Sequence, residues 1–283
     1  LADDYELSET LSGVNEPKGE DLVKVVVEVN APSLIEYANE KGISVQEAMQ
    51  SSEGIRVLKK AESMSESAAK ALSPYLVEMG FSYGTLLSGF SATIHYKDLS
   101  KLEADARVSD VILSDTYEEP QAITENEVNV DVTTGIFDSS DVGYDGTGTV
   151  VAVLDTGTDY THEVFDMELD DSLTAITKDD VAAVAPELAA TSMSAANDVA
   201  IDEDDLYLTT KLPYAYDYAD GDANVYPAEA HGTHVAGIIA GKSERITGVA
   251  TGAQIATFKV FPDSGDGAGT DAILAALNDA VIL

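Results

Sequence analysis

Two short segments combine residue types that do chemistry with the local patterns needed to hold them. The apolar run Val150-Val151-Ala152-Val153-Leu154 stops abruptly at Asp155-Thr156-Gly157. That is the pattern of a buried parallel strand delivering a carboxylate at its C-terminal end, the edge where functional groups of α/β sheets collect. Further on, His231-Gly232-Thr233-His234-Val235-Ala236-Gly237 reads as a histidine opening a helix of small residues. Glycine and alanine let such a helix approach its neighbours closely, which fixes where the imidazole points. A carboxylate that accepts the Nδ1–H of an imidazole sets its tautomer and stabilises the imidazolium formed during reaction. Asp155 and His231 are therefore candidates for two members of a nucleophilic triad that performs acyl transfer, with His231 as general base.

The flanks extend both patterns. Gly143-Tyr144-Asp145-Gly146-Thr147-Gly148 precedes the strand, and Ile246-Thr247-Gly248-Val249-Ala250 leads from the helix into Gln254–Val260. At these residues the chain resembles the subtilisin family of serine proteases, whose Asp, His and Ser occur in that chain order. The resemblance implies an Asp-His-Ser triad with Asp155 and His231 as its first two members. It places the nucleophile in a Gly-Thr-Ser-Met-Ala segment well downstream of the histidine. The sequence reaches Leu283 without it, so residues 1–283 are expected to be inactive by themselves. Ala190-Thr191-Ser192-Met193-Ser194-Ala195 imitates that segment, but it lacks the leading glycine and falls between Asp155 and His231. It reads as a polar stretch in an insertion. The long gap between the two motifs resembles the large cell-envelope proteinases of the lactocepin type. That likeness implies polypeptide substrates and a secreted or cell-envelope location.

By the same resemblance, Gly265, Asp266 and Gly267 form the edge segment that pairs with extended substrate backbone. Strand addition needs an exposed edge, and glycines leave room for the peptide. The alternative for this segment is a glycine-rich solvent loop. Its spacing fits neither a Walker nor a Rossmann phosphate loop.

The elements that must position these groups are legible at low resolution. From 148 to 283 the order is strand, long insertion, helix, strand, loop, helix, which suits a parallel sheet with right-handed crossovers. Upstream, residues 1–20 read as a polar arm. Residues 21–119 follow as strand Leu22–Asn30, a helical stretch from about 33 to 71 broken near Gly42 and Gly54, strands Val77–Tyr83 and Leu87–Tyr96, helix Lys97–Ala106 and strand Val111–Tyr117. This is the split βαβ order of small two-layer domains. Through Ser88-Gly89-Phe90-Ser91-Ala92-Thr93-Ile94 and Leu102-Glu103…Val108…Val111 it resembles the propeptide of subtilisin-type proteases. The resemblance implies an intramolecular folding aid and inhibitor whose tail lies in the cleft. Residues 120–147 connect the two parts and are expected to hold the maturation site. The expected fold class is thus α/β: a three-layer α/β/α parallel sheet, an incomplete subtilisin-like domain, preceded by a small α+β ferredoxin-like prodomain.

Composition excludes several classes. A net charge of −37, from 52 acidic and 15 basic residues, argues against nucleic-acid binding. No apolar run is long enough to form a transmembrane helix, and the absence of cysteine removes disulfides and thiolate metal sites. His231 and His234 stand three apart, but no further ligand sits at a zinc spacing, so no metal is assigned and His234 is expected to pack and hydrogen-bond. His162 has a support role and His95 is incidental. No cofactor is required. For Asp202-Glu203-Asp204-Asp205 and Asp220-Gly221-Asp222 a solvated acidic face is the default reading and structural calcium the alternative, since neither fits an EF-hand loop. The competing functional reading is a non-catalytic degenerate relative, or an inhibitor module that binds proteases in trans.

Overall fold

A computed structural model describes residues 17–118, 144–189 and 203–283. The decoy Ser192, most of the 1–20 arm, Asp202 and nearly all of the 120–147 connection lie outside these residues.

The first module is a four-stranded antiparallel sheet built from β1 (Leu22–Val29), β2 (Leu76–Tyr83), β3 (Gly89–His95) and β4 (Val108–Leu113), in the order β2-β3-β1-β4. Helices α1 (Leu34–Lys41), α2 (Val45–Gln50) and α3 (Ser52–Leu72) connect β1 to β2, and α4 (Leu99–Glu103) connects β3 to β4. Their boundaries are written in side chains. Ser33 with Glu36, and Ser44 with Glu47, form capping boxes that satisfy the first amides of α1 and α2. Gly42 ends α1 in the left-handed conformation. Gly54, by contrast, does not break the helical stretch. It lies inside α3, where a β-carbon would meet the Ala48 carbonyl oxygen at 1.9 Å, and the break falls at Ser51. Alternation along β1 sends Val25, Val27 and Val29 into a core with Ala68, Leu72, Ile94 and Leu102.

The last strand expected in this module is two strands. β4 stops at Leu113, and Thr116–Tyr117 forms a separate strand, β5. β5 leaves the first sheet and pairs antiparallel with β9 (Ala268–Gly269) of the second module, Thr116 opposite Gly269 and Tyr117 opposite Ala268.

The second module is a parallel sheet of β6 (Val150–Asp155), β7 (Tyr214–Asp217) and β8 (Gln254–Lys259), in the order β6-β8-β7. All six residues of β8 are buried at the centre, as near-continuous apolar runs in covered parallel sheets are. β6 lies at the edge of the described sheet, so its run is only half covered and Ala152 is exposed. The insertion supplies α5 (Lys178–Leu188), α6 (Glu203–Leu206) and the fully buried strand β7. On one face of the sheet, Val153 and Ile255 pack with Ala236 and Ala240 of α7 (His231–Ala240). On the other, Ala256 and Phe258 pack with Ala272, Ala275 and Ala276 of α8 (Thr270–Ile282) and with Val181 and Leu188 of α5. Helix, sheet and helix make three layers.

The same α8 holds the first module. Val26, Phe81 and Tyr83 join its core cluster. The Tyr83 hydroxyl donates to the Asp271 carbonyl at 3.0 Å, and the Thr85 and Leu86 amides both donate to Asn278 Oδ1 at 3.1 Å. Lys24 Nζ and Ser114 Oγ donate to the two carboxylate oxygens of Asp271.

Candidate active site

Asp155 ends β6 and His231 opens α7, and their side chains meet. His231 Nδ1 lies 2.8 Å from Asp155 Oδ1 and 3.0 Å from Oδ2. The carboxylate is buried, its side chain 11% exposed, whereas the imidazole is 31% exposed and reaches solvent. Asp155 Oδ1 also accepts the Thr156 amide at 2.7 Å, which holds the carboxylate in orientation. One side of the imidazole is thus anchored on a buried acceptor.

The backbone beneath this pair is tightly fitted. Gly157 has φ +102°, and a β-carbon there would fall 2.4 Å from the Val225 carbonyl oxygen. Only glycine accepts both that torsion and that contact. Gly232 lies as close to the same turn, because a β-carbon on it would stand 2.2 Å from the Gly157 carbonyl oxygen. Thr156 joins the two elements through its hydroxyl, which accepts the Gly232 amide at 3.0 Å and donates to the Glu229 carbonyl at 2.9 Å. The Thr233 hydroxyl accepts the Asp159 amide at 2.9 Å. Thr156 was visible in the sequence only as part of Asp-Thr-Gly; its bridging role needs the helix in place.

The remaining histidines are not brought to this pair. His234 is exposed and does not pack in the core, because α7 turns that position away from the sheet. With Asp159, His162 and Tyr226 it lines a surface cavity of about 350 Å³. His162 Nδ1 accepts the Val164 amide at 3.3 Å and caps a short 3-10 turn. His95 Nδ1 contacts the Glu20 carbonyl oxygen in the first module.

Of the three residues expected at the substrate edge, Gly267 touches β5: a β-carbon on it would lie 2.5 Å from the Tyr117 carbonyl oxygen. A β-carbon on Gly265 would meet open space, and the Asp266 carboxylate accepts from Ser264 Oγ at 2.8 Å. The ladder runs a little further on, at Ala268–Gly269. Two-residue ladders leave no alternation to read in a sequence.

Three of the carboxylates named for calcium have protein partners. Asp204 pairs with Lys178 and Asp220 with Lys259, while Asp222 accepts the Asn224 amide. Among the described residues no three His, Asp or Glu side chains converge for a metal ion. Among the described residues no helix is long and apolar enough to cross a membrane.

The site is thus a strand-end aspartate paired with a helix-start histidine in a parallel α/β domain. Residues 146–281 match the Subtilase family, peptidase S8, and this part of the chain belongs to that family of serine proteases. The chain is 34% identical over 213 residues to the PII-type proteinase of Lacticaseibacillus paracasei, a match covering 71% of this chain and 10% of that protein. It is 33% identical over 213 residues to the PI-type proteinase of Lactococcus lactis subsp. cremoris, with the same coverage. The chain thus spans about a tenth of the length of these relatives. Among solved structures it is similar to fervidolysin from Fervidobacterium pennivorans, a keratinolytic enzyme related to subtilisin, at 16% identity and a TM-score of 0.46 over 95% of this chain and 35% of that one.

Proposed function

We propose that this chain is part of a subtilisin-family serine endopeptidase precursor, comprising its inhibitory propeptide at residues 21–119 and the N-terminal part of its catalytic domain from residue 148. The observation that carries the reading is the Nδ1 contact of His231 on the buried Asp155 carboxylate. With Nδ1–H committed to Asp155, the other ring nitrogen is the free base. It takes the proton from an attacking serine hydroxyl and returns it to the leaving amine. That serine is sought in a downstream Gly-Thr-Ser-Met-Ala segment, and the substrates are polypeptides.

The pairing of β5 with β9 supports the propeptide role. A substrate strand added to the β9 edge would take the place that Thr116–Tyr117 holds. Tail and substrate therefore compete for one set of backbone groups, and the maturation cut belongs in the connection at 120–147. By analogy with cell-envelope proteinases, the protein works outside the cell membrane.

The test is to read the frame beyond Leu283, express the longer chain and treat it with a fluorophosphonate probe. One labelled serine in a Gly-Thr-Ser-Met-Ala segment, with labelling lost in His231→Ala, is the expected result. A frame without that serine, or labelling unaffected by His231→Ala, would refute the proposal.

A further inference from the structure

Strand β8 ends in a charged residue that solvent hardly reaches. Lys259 is 1% exposed, and its Nζ donates to Asp217 Oδ2 at 2.5 Å, Asp263 Oδ1 at 2.7 Å and Asp220 Oδ2 at 3.3 Å. Burying an ammonium and a carboxylate costs hydration that apolar side chains would not lose, so such a cluster is poor support for stability alone. What it does provide is geometry.

The three carboxylates come from separate places. Asp217 closes β7, Asp220 sits in the turn that follows, and Asp263 begins the loop that feeds β9. The Asp263 amide donates to Asp220 Oδ2 at 2.9 Å, which tightens the same knot. The other end of the lysine reaches the candidate active site. Lys259 stands opposite Asp155 in the β6–β8 register, and the Val260 amide donates to the Asp155 carbonyl at 3.0 Å. Its stem runs beneath the turn after Asp155, where a β-carbon on Gly157 would fall 3.0 Å from Lys259 Cδ. Burial pulls the ammonium down, but its hydrogen bonds to Asp217 and Asp263 outweigh that and hold it above the usual lysine range.

We propose that Lys259 is a positioning residue for extended-peptide binding: by clamping Asp263 it holds edge strand β9 at a fixed distance from Asp155 and His231. The proposal rests on the reading of β9 as the substrate edge. It assigns to the clamp the alignment of peptide residues remote from the cut bond, and leaves the chemistry at His231 alone.

Asp263→Asn tests it with little risk to folding, because that side chain is half exposed and its amide replacement is isosteric. In the 283-residue chain, amide exchange at 114–118 and 264–270 is expected to quicken about tenfold, with β6 and α7 unchanged. Lys259→Met should do the same where it folds, and Lys259→Arg should restore part of the protection. Unchanged exchange in Asp263→Asn, or faster exchange spread equally through β6, β8 and α7, would overturn the proposal. In the longer chain with its nucleophile, Asp263→Asn should raise KM about fivefold for a peptide reaching four residues upstream of the cut. Its kcat on that peptide, and kcat/KM for a minimal ester, should not move. A longer wild-type chain that hydrolyses no peptide would sink the protease reading, while the exchange experiment would still decide the clamp.

Discussion

Gly232 and Gly157 meet backbone to backbone, so that a β-carbon on Gly232 would stand 2.2 Å from the Gly157 carbonyl oxygen and 3.1 Å from Asp155 Oδ1. The helix that carries His231 and the turn that follows Asp155 are therefore in direct contact beneath the dyad. Gly232→Ala cannot be accommodated without sliding α7 away from that turn. The expected cost is about 1–3 kcal/mol, the usual range for overpacking a fitted site, read from denaturant midpoints. A variant as stable as wild type would show that the contact is not tight.

The first module docks on α8 through apolar packing by Val26, Phe81 and Tyr83 and through polar contacts at Asp271 and Asn278. Asn278 Oδ1 accepts two backbone amides, from Thr85 and Leu86, in a buried setting. Asn278→Ala leaves both donors without that acceptor, at about 1–3 kcal/mol for each. After a single engineered cut within 119–143, the wild-type halves should remain together on size exclusion and the variant halves should separate. Co-elution of the variant halves at low micromolar concentration would contradict the assignment.

Lys211 supplies a pH dependence. Its side chain is buried, with Nζ donating to the Thr251 and Ala253 carbonyls at 2.7 Å. Burial pulls its pKa down from 10.5 to about 8. Between those values the unfolded chain binds more protons than the folded one, so stability should rise as pH increases from about 8 to 10.5. Below pH 8 the burial penalty is fully present, on the order of 3 kcal/mol at most. Lys211→Met should lack that rise when melting temperatures at about pH 7 and about pH 10 are compared with wild type. Parallel profiles for the two proteins would contradict it.

How much of this was legible depended on the range of the forces involved. That residue 155 ends a strand and residue 231 opens a helix could be read, because apolar periodicity and small-residue runs are local signals. So could the helical stretch that begins near Ser33 and breaks at Gly42. The Tyr214–Asp217 strand could not, because it is short and its burial comes from packing beside β8. Neither could β5, whose partner lies far away in the chain. Lys259 ends an apolar strand and so flags itself, yet its carboxylates are assembled only by the fold.

The most direct test of the central claim replaces the Asp155 carboxylate with an amide in the longer chain that carries its serine. An amide of the same shape can hold the imidazole but favours the wrong tautomer. Peptide hydrolysis at neutral pH by Asp155→Asn should fall by about 10⁴ in kcat with KM little changed, the loss known for triads of this kind. A variant that retains kcat within about tenfold of wild type would mean that His231 does not act through Asp155.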